Sequence, residues 1–464
     1  MFSITKIYSR KYINIRTYVQ HQNPFQRTFE ALTGDIRFGK LTETPPSKHP
    51  EHADIVIIGG GFLGSSAAYW LKILAGKGLN VVVLDREFNN SAPRKIPIGI
   101  ISHHFSLPEN ILLSKFSADF IRNTKEHLGT NVNVRFQPHG YLVLASDNYC
   151  DLLERNVSVL KEYAIKNELL SPEQIKKKYP WINVSDVKLG CLSTECEGVF
   201  DSSALLRGMM EKSIELGATY VNGNVVGFEV DNQRDVLIEG VKPMSYQKLT
   251  RVIYRNKENE ERAIKFAVCI LANGYESPEV LKLAKGENDN ALLSIPLPIE
   301  KREVNLYSLG ENSAKASIGL NSPLVMDSSG LWLRRNGLKN NLICGQIPVK
   351  SDKHLSNEEN YERIFKPSLH NRFPSFSDMK VNNLDSEVYD CNTYDESGII
   401  GPHPYHINVI LATGFGKLGI QHSPGIGKAI AELIVEGRYT TTDLTRLGFD
   451  RILVNEPLVD FNIY

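Results

Sequence analysis

Asp54-Ile-Val-Ile-Ile-Gly59-Gly60-Gly61-Phe62-Leu63-Gly64 is the stretch that decides the fold of this chain. Its first half is a short run of β-branched apolar residues, the composition of a strand buried on both faces of a parallel sheet. The glycines that follow fit G-x-G-x-x-G at Gly59, Gly61 and Gly64. Ala67, Ala68, Leu71 and Leu74 then recur at helical spacing, and Gly76 and Gly78 end the helix. Asn80-Val-Val-Val-Leu-Asp85 is a second buried strand. Strand, helix and strand make a βαβ unit. Gly59 permits the tight turn, Gly61 lets backbone approach a pyrophosphate, and Gly64 lets helix and strand pack closely. The helix N-terminus offers free N–H groups and partial positive charge to phosphates. Asp85, 21 residues past Gly64, can accept ribose hydroxyls and would repel a 2′-phosphate, which argues against NADP. The unit predicts a bound dinucleotide and does not by itself choose between NAD and FAD.

The rest of the chain sets the frame. Its 464 residues exceed one small core and predict two or three domains. Fifty-three basic and 53 acidic residues cancel, and no basic stripe with interleaved aromatics appears, so no nucleic-acid partner is expected. The cysteines at 150, 191, 196, 269, 344 and 391 form no C-x-x-C pair and no Cys/His cluster with metal spacing. That usage fits buried thiols in a reducing compartment and no metal. The first 29 residues hold Lys6, Arg10, Lys11, Arg16 and Arg27 and no acid, with Ile4, Ile7, Tyr8, Tyr12 and Ile15 at helical spacing. Residues 1–30 therefore read as a mitochondrial transit peptide, and 31–52, rich in Pro, Thr and Ser, as a linker. No apolar run approaches the roughly 20 residues of a membrane span. The expected location is the mitochondrial matrix, soluble or peripheral on the inner membrane.

Further along, 109–128 reads as helix, Asn133 to Ala145 as a hairpin around Gly140, and Lys161 to Lys178 as a charged helix. Residues 203–217 read as a helix ended by Gly217, and 219–230 as one strand. Ala267–Ala272 and Asn408–Ala412 are buried strands, the latter followed by a Gly-rich turn and a helix from Gly425 to Glu436. Parallel-type strands near both ends, with hairpin-like sequence between, predict an α/β fold. It is a discontinuous Rossmann-like domain (53–135, 190–285 and 386–464) with an inserted antiparallel-sheet α+β substrate domain (136–189 and 286–385).

Four segments carry a family resemblance: Gly59–Asp85; Glu197-Gly-Val-Phe-Asp201 running through Ala204–Arg207 and Leu216-Gly-Ala218 to Val225; Ile270-Leu-Ala-Asn-Gly274; and Ala412-Thr-Gly-Phe415 through Gly419 to Pro424-Gly-Ile-Gly427. Together they resemble the D-amino-acid oxidase superfamily, within it the sarcosine/dimethylglycine oxidoreductase branch. The resemblance implies FAD. The FAD-binding set it implies, together with the glycine unit, is Gly59, Gly61, Phe62, Leu63, Gly64, Asp85, Arg86, Val225, Gly274, Gly414, Phe415, Gly416, Lys417 and Gly419. Phe105–Asn110, Tyr389–Asp395, Gly398–Pro404 and Ala412–Phe415 resemble the mitochondrial members that serve assembly of respiratory complex I, which implies complex I subunits or assembly intermediates as partners. The runner-up implication is oxidation of a small secondary or N-methyl amino acid.

The chain also departs from the family pattern. Ser102 stands where relatives suggest a substrate-holding arginine, and the flavin-facing Ser/Thr positions are eroded in Asn90–Lys95, where Arg94 offers a substitute. The C-terminal turn reads Gly414-Phe-Gly-Lys-Leu-Gly419. Lys417 is either a cation at the flavin pyrimidine edge or a solvated loop lysine. The resemblance aligns Val388 with the cysteine that binds flavin covalently in relatives and puts Cys391 three positions late, so noncovalent FAD is expected. Catalytic candidates are His103 and His104 as acid/base groups, Lys417, and Arg302, which with Lys301 could lie at the domain interface. The ordinary reading of the His pair is an exposed, passive loop. His403, between two prolines, reads as a structural residue that fixes the turn before the last strand.

Overall fold

Burial on both faces is what the run Ile55–Ile58 requires, and in the computed structural model it pairs in parallel with Val81–Asp85 on one side and Val268–Leu271 on the other. The structure describes residues 49–88, 99–233, 246–284, 296–310, 318–337, 341–347, 357–376 and 379–462. The proposed transit peptide, most of the linker, and Asn90–Lys95 with Arg94 lie outside them. The sheet built on Ile55–Ile58 runs Ile399–Pro402, Val409–Thr413, Val268–Leu271, Ile55–Ile58, Val81–Asp85, Thr219–Asn222. Neighbours are parallel except the edge strand Ile399–Pro402, which is antiparallel to Val409–Thr413. Strands from widely separated parts of the chain thus meet in one sheet, with the helices Phe62–Ala75 and Leu418–Val435 packed together beside it.

The second large element is an eight-stranded sheet. Its order is Val381–Asn392, Ile299–Leu309, Leu342–Gln346, Leu331–Arg335, Leu324–Asp327, Tyr141–Ala145, Leu189–Ser193, Glu168–Leu170. All neighbours are antiparallel except Leu324–Asp327 with Tyr141–Ala145. The fold is a Rossmann-like α/β unit joined to a largely antiparallel substrate-side sheet. Leu189–Ser193 and all of Val381–Asn392 pair in the large sheet, so the boundaries expected at 190 and 386 cut through its strands.

Four local expectations are corrected. Asn133–Ala145 is no hairpin: Gln137 bridges Val199, whereas Tyr141–Ala145 joins the large sheet. Gly140, at φ +93°, makes the break, with its N–H bonded to the Glu197 carbonyl. Lys161–Lys178 is not one helix. Cys150–Glu162 ends before a short strand, Glu168–Leu170, and Ser171 and Gln174 form a capping box with Pro172 at the first turn that starts Pro172–Lys178. The strand expected over 219–230 is two. At Gly223, where a Cβ would lie 2.3 Å from the Tyr254 ring, the chain leaves the parallel sheet as Thr219–Asn222 and enters a three-stranded antiparallel sheet as Asn224–Asn232. The helix expected from Gly425 begins at Leu418 instead and runs through Pro424. The Ser423 hydroxyl donates to the Ile420 carbonyl at 2.9 Å, supplying the bond that Pro424 cannot make.

Candidate functional site

A cavity of about 570 Å³ runs from the glycine turn to the inner face of the eight-stranded sheet. At the first end, Gly59 takes φ +99°, and a Cβ there would meet the Ala272 carbonyl oxygen at 2.4 Å. A Cβ on Gly64 would lie 1.8 Å from the Gly59 carbonyl oxygen. Gly61 is different: a Cβ would meet nothing within 4 Å, and the residue lines the cavity. The helix Phe62–Ala75 starts here with no side-chain cap and no acid in its first turn, which leaves its positive end to the cavity.

Asp85 braces this turn. Its carboxylate accepts the Gly60 amide at 2.7 Å and the Glu87 amide at 2.7 Å, and it lines the cavity. Arg86 is paired with Glu276 at 2.6 Å. Gly223, Asn224 and Val225 complete this end opposite Asn273 and Gly274. The Asn273 side-chain amide nitrogen is buried with no partner among the described residues, a donor left over for a ligand.

At the other end a second helix, Leu418–Val435, also begins with no side-chain cap and no first-turn acid. The turn before it is held by Asp390, whose carboxylate accepts the amides of Gly414 and Gly416 and the Thr413 hydroxyl. Burial raises the Asp390 pKa, and those bonds hold the rise back. Gly416, Lys417 and Gly419 line the cavity. The Lys417 side chain is exposed and belongs to the cavity wall. Desolvation lowers its pKa to about 8 against the pull of Glu396 and Glu387. Its ammonium lies 5.6 Å from the Tyr389 ring centroid, and no carboxylate among the described residues comes within 4 Å of it.

A dinucleotide needs two polar ends and a long trough, and this cavity has both. Residues 54–433 match the family described as FAD dependent oxidoreductase (DAO). The chain belongs to that family. It is 38% identical over 425 residues to the FAD-dependent oxidoreductase domain-containing protein 1 homolog of Drosophila melanogaster, covering 90% of this chain and 82% of that one. It is 22% identical over 425 residues to the monomeric sarcosine oxidase of Bacillus sp. (strain B-0618), covering 88% of this chain and 98% of that one. Among solved structures, L-proline dehydrogenase from P. horikoshii shares the fold with a TM-score of 0.70 at 21% identity, covering 88% of this chain and 100% of that one.

The residues present fit the family's cofactor, FAD. The open space over Gly61 and the two uncapped helix N-termini suit its phosphates and the electron-rich edge of its ring system. Of the expected FAD-binding set, Gly59, Gly61, Phe62, Leu63, Asp85, Arg86, Val225, Gly274, Gly416, Lys417 and Gly419 line the cavity. Gly64, Gly414 and Phe415 do not. Gly64 is spent on helix–strand packing. A Cβ on Gly414 would lie 2.6 Å from Ile299. Phe415 turns away into the core, where a Cβ on Gly398 would meet its ring at 2.2 Å.

The catalytic candidates fare less evenly. His103 and His104 are buried, not exposed. His103 Nδ1 lies 2.8 Å from the Ser114 hydroxyl, which donates to the Ser102 carbonyl. Burial, with Lys115 adding to it, lowers the His103 pKa to about 4; burial, with His103 adding, lowers His104 to about 3. Both are neutral imidazoles at physiological pH and neither lines the cavity, which corrects their reading as an acid/base pair. Arg302 pairs with Glu396 at 2.9 Å and is off the cavity wall. Lys301 stands 5.6 Å over the Tyr275 ring, which does line the cavity. Only Lys417 among the candidates faces the site. His403 does fix its turn: its Nδ1 accepts the amides of Tyr405 and His406 at 3.1 and 3.0 Å.

Sequence reasoning missed Asp390, Gln421 and the chemistry of Glu197. Gln421 lines the cavity and accepts the Ser102 amide at 3.1 Å. Glu197 is fully buried, 3.7 Å from His104 Nε2, with no hydrogen-bond partner on either oxygen among the described residues. Burial lifts its pKa to about 8, although the Ser193 hydroxyl and His103 amide lie close enough to hold it down slightly. Burial thus favours the neutral form of both members of the pair. Nothing local in the sequence signals these contacts, which join residues far apart in the chain. Val388 lines the cavity and Cys391 does not; the buried Cys391 thiol is pushed up to about 11 by desolvation.

Proposed function

We propose that this chain is a mitochondrial flavoprotein acting in assembly or stability of respiratory complex I, with complex I subunits or assembly intermediates as its partners. One observation carries the reading. The glycine turn and the Lys417 turn both face the cavity, yet Ser102 occupies the cavity wall where the family resemblance expects a substrate-holding arginine. FAD held by the native chain alone stabilises that chain by mass action. The basic, acid-free residues 1–29 support a matrix location. Deleting the protein should lower the amount of assembled complex I on native gels, with restoration by the wild-type chain. Normal complex I in a null strain would sink the reading.

A second reading is favoured by the cavity's continuation beyond the Lys417 turn to the eight-stranded sheet. It is FAD-dependent oxidation of a secondary or N-methyl amino acid or related amine. Bound FAD supplies a two-electron acceptor, and this chain's residues bind and orient the amine. Anaerobic mixing with sarcosine, dimethylglycine, proline and a wider amine panel should bleach the flavin. No bleaching across the panel would remove this reading and leave the first.

A further inference from the structure

The sheet end of the cavity is walled by Tyr141, Val304, Leu306, Met326, Trp332 and Ile347. They come from adjacent strands of the large sheet, and the register puts them on one face. Trp332 pairs with both Gly345 and Met326, and Leu306 also pairs with Gly345. A Cβ on Gly345 would lie 3.0 Å from the Trp332 indole, so the missing side chain lets the ring lie across the sheet. The first five are buried and Ile347 is half-buried at the rim.

Such a wall offers mainly apolar and aromatic contact, and its side-chain donors are the Tyr141 hydroxyl and the Trp332 indole N–H. A carboxylate pressed against it would lose its water and find no cation on the wall itself. Two cations share this sheet face, and neither stands on the cavity wall. Arg302, two residues before Val304, pairs with Glu396 at 2.9 Å. Arg334, two residues beyond Trp332, donates to the Arg335 carbonyl at 3.2 Å, keeps its buried Nε without a partner among the described residues, and is off the cavity wall. Lys417 comes from the C-terminal turn, not from the sheet.

The geometry points to a ligand class: an amine bearing an aromatic or bulky apolar group that packs on Trp332. The inference deepens the second reading above and rests on FAD occupying the glycine-turn end.

The test uses the full FAD-loaded chain, N-methylbenzylamine as the apolar probe and sarcosine as the carboxylate probe. Flavin difference spectra and tryptophan fluorescence are read in parallel. N-methylbenzylamine should bind about tenfold or more tightly than sarcosine, and Trp332→Ala should weaken it by about tenfold or more with FAD content unchanged. Ile347→Gln, at the half-buried rim, should weaken it less and serves if the tryptophan variant does not fold. Equal or tighter sarcosine binding, or indifference of N-methylbenzylamine to both variants, overturns the inference. A chain that carries no flavin defeats the FAD reading instead. The fluorescence titration, compared with Trp332→Phe, needs no flavin and still decides whether the apolar wall takes the amine.

Discussion

Asp390 accepts the backbone amide of Gly416 at 3.2 Å from the neighbouring sheet, and so ties the turn that carries Lys417 to the strand Val381–Asn392. The same carboxylate takes the Gly414 amide and the Thr413 hydroxyl. Asp390→Ala would leave buried amides without an acceptor, at about 1–3 kcal/mol for each. The expected outcome is a lower Tm together with loss of retained FAD through gel filtration. Asp390→Asn keeps one acceptor oxygen and should fall between. Full FAD retention in the alanine variant would show that the turn holds itself.

Gly61 and Gly64 separate binding from folding. A Cβ on Gly61 enters open cavity, whereas one on Gly64 lies 1.8 Å from the Gly59 carbonyl oxygen. Gly61→Val should leave the FAD-free Tm near wild type and abolish FAD binding. Gly64→Val should fail to fold or lose several kcal/mol, on the order of other overpacking and backbone clashes. Thermal melts with and without added FAD distinguish the two. Equal damage to the FAD-free forms would contradict the assignment.

Acid should destabilise this fold from about pH 6.5 downward. Burial lowers His103 and His406 to about 4 and His104 and His422 to about 3. Between the ordinary value of 6.5 and those values the unfolded chain binds protons that the native chain refuses, so stability falls as pH falls. Glu197, raised from 4.5 to about 8, works the other way. Its contribution is complete below 4.5 and is lost as pH climbs through about 8. Below pH 6.5 the four histidines outnumber it. Each excess proton bound by the unfolded chain costs about 1.4 kcal/mol per pH unit. The Tm should therefore drop between about pH 7 and pH 5, and His104→Gln should flatten that drop. Glu197→Gln should gain on wild type as pH rises toward 8, and a pH-independent difference would argue against the neutral-acid assignment.

Arg451 clamps the C-terminal region to the core. Its guanidinium meets Asp395 at 2.7 and 3.0 Å, both groups buried, and donates to the carbonyls of Leu447, Gly448, Ser397 and Gly398. Asp395 also accepts the Leu458 amide at 2.9 Å. Arg451→Met leaves a buried carboxylate uncompensated and should cost about 3–5 kcal/mol, read as a shift in the urea midpoint. A loss under about 1 kcal/mol, the scale of an exposed pair, would contradict the burial described for it.

The nucleotide half was legible in sequence because its signals are local. Ile55–Ile58 and Val81–Asp85 are apolar runs too short for helices, and the glycines between them leave one chain path. The long-range joins were not. Nothing in Leu189–Ser193 says that it pairs with Tyr141–Ala145. The His103–His104 loop reads as solvent-facing until Ser114 and Gln421 are seen to pin it inside. Asp390 and Arg451 look like ordinary surface charges, since a single buried charge has no periodicity, and only the distant partner makes it interpretable.

The central claim is that FAD sits noncovalently in the cavity between the Gly59–Gly64 turn and Lys417. Absorbance of the purified chain before and after acid precipitation tests it most directly. The account predicts a flavin spectrum at a FAD-to-chain ratio near unity, with the colour released to the supernatant because Val388, not Cys391, stands on the wall. A colourless chain that takes up no FAD, or a flavin that stays with the precipitate, would contradict it.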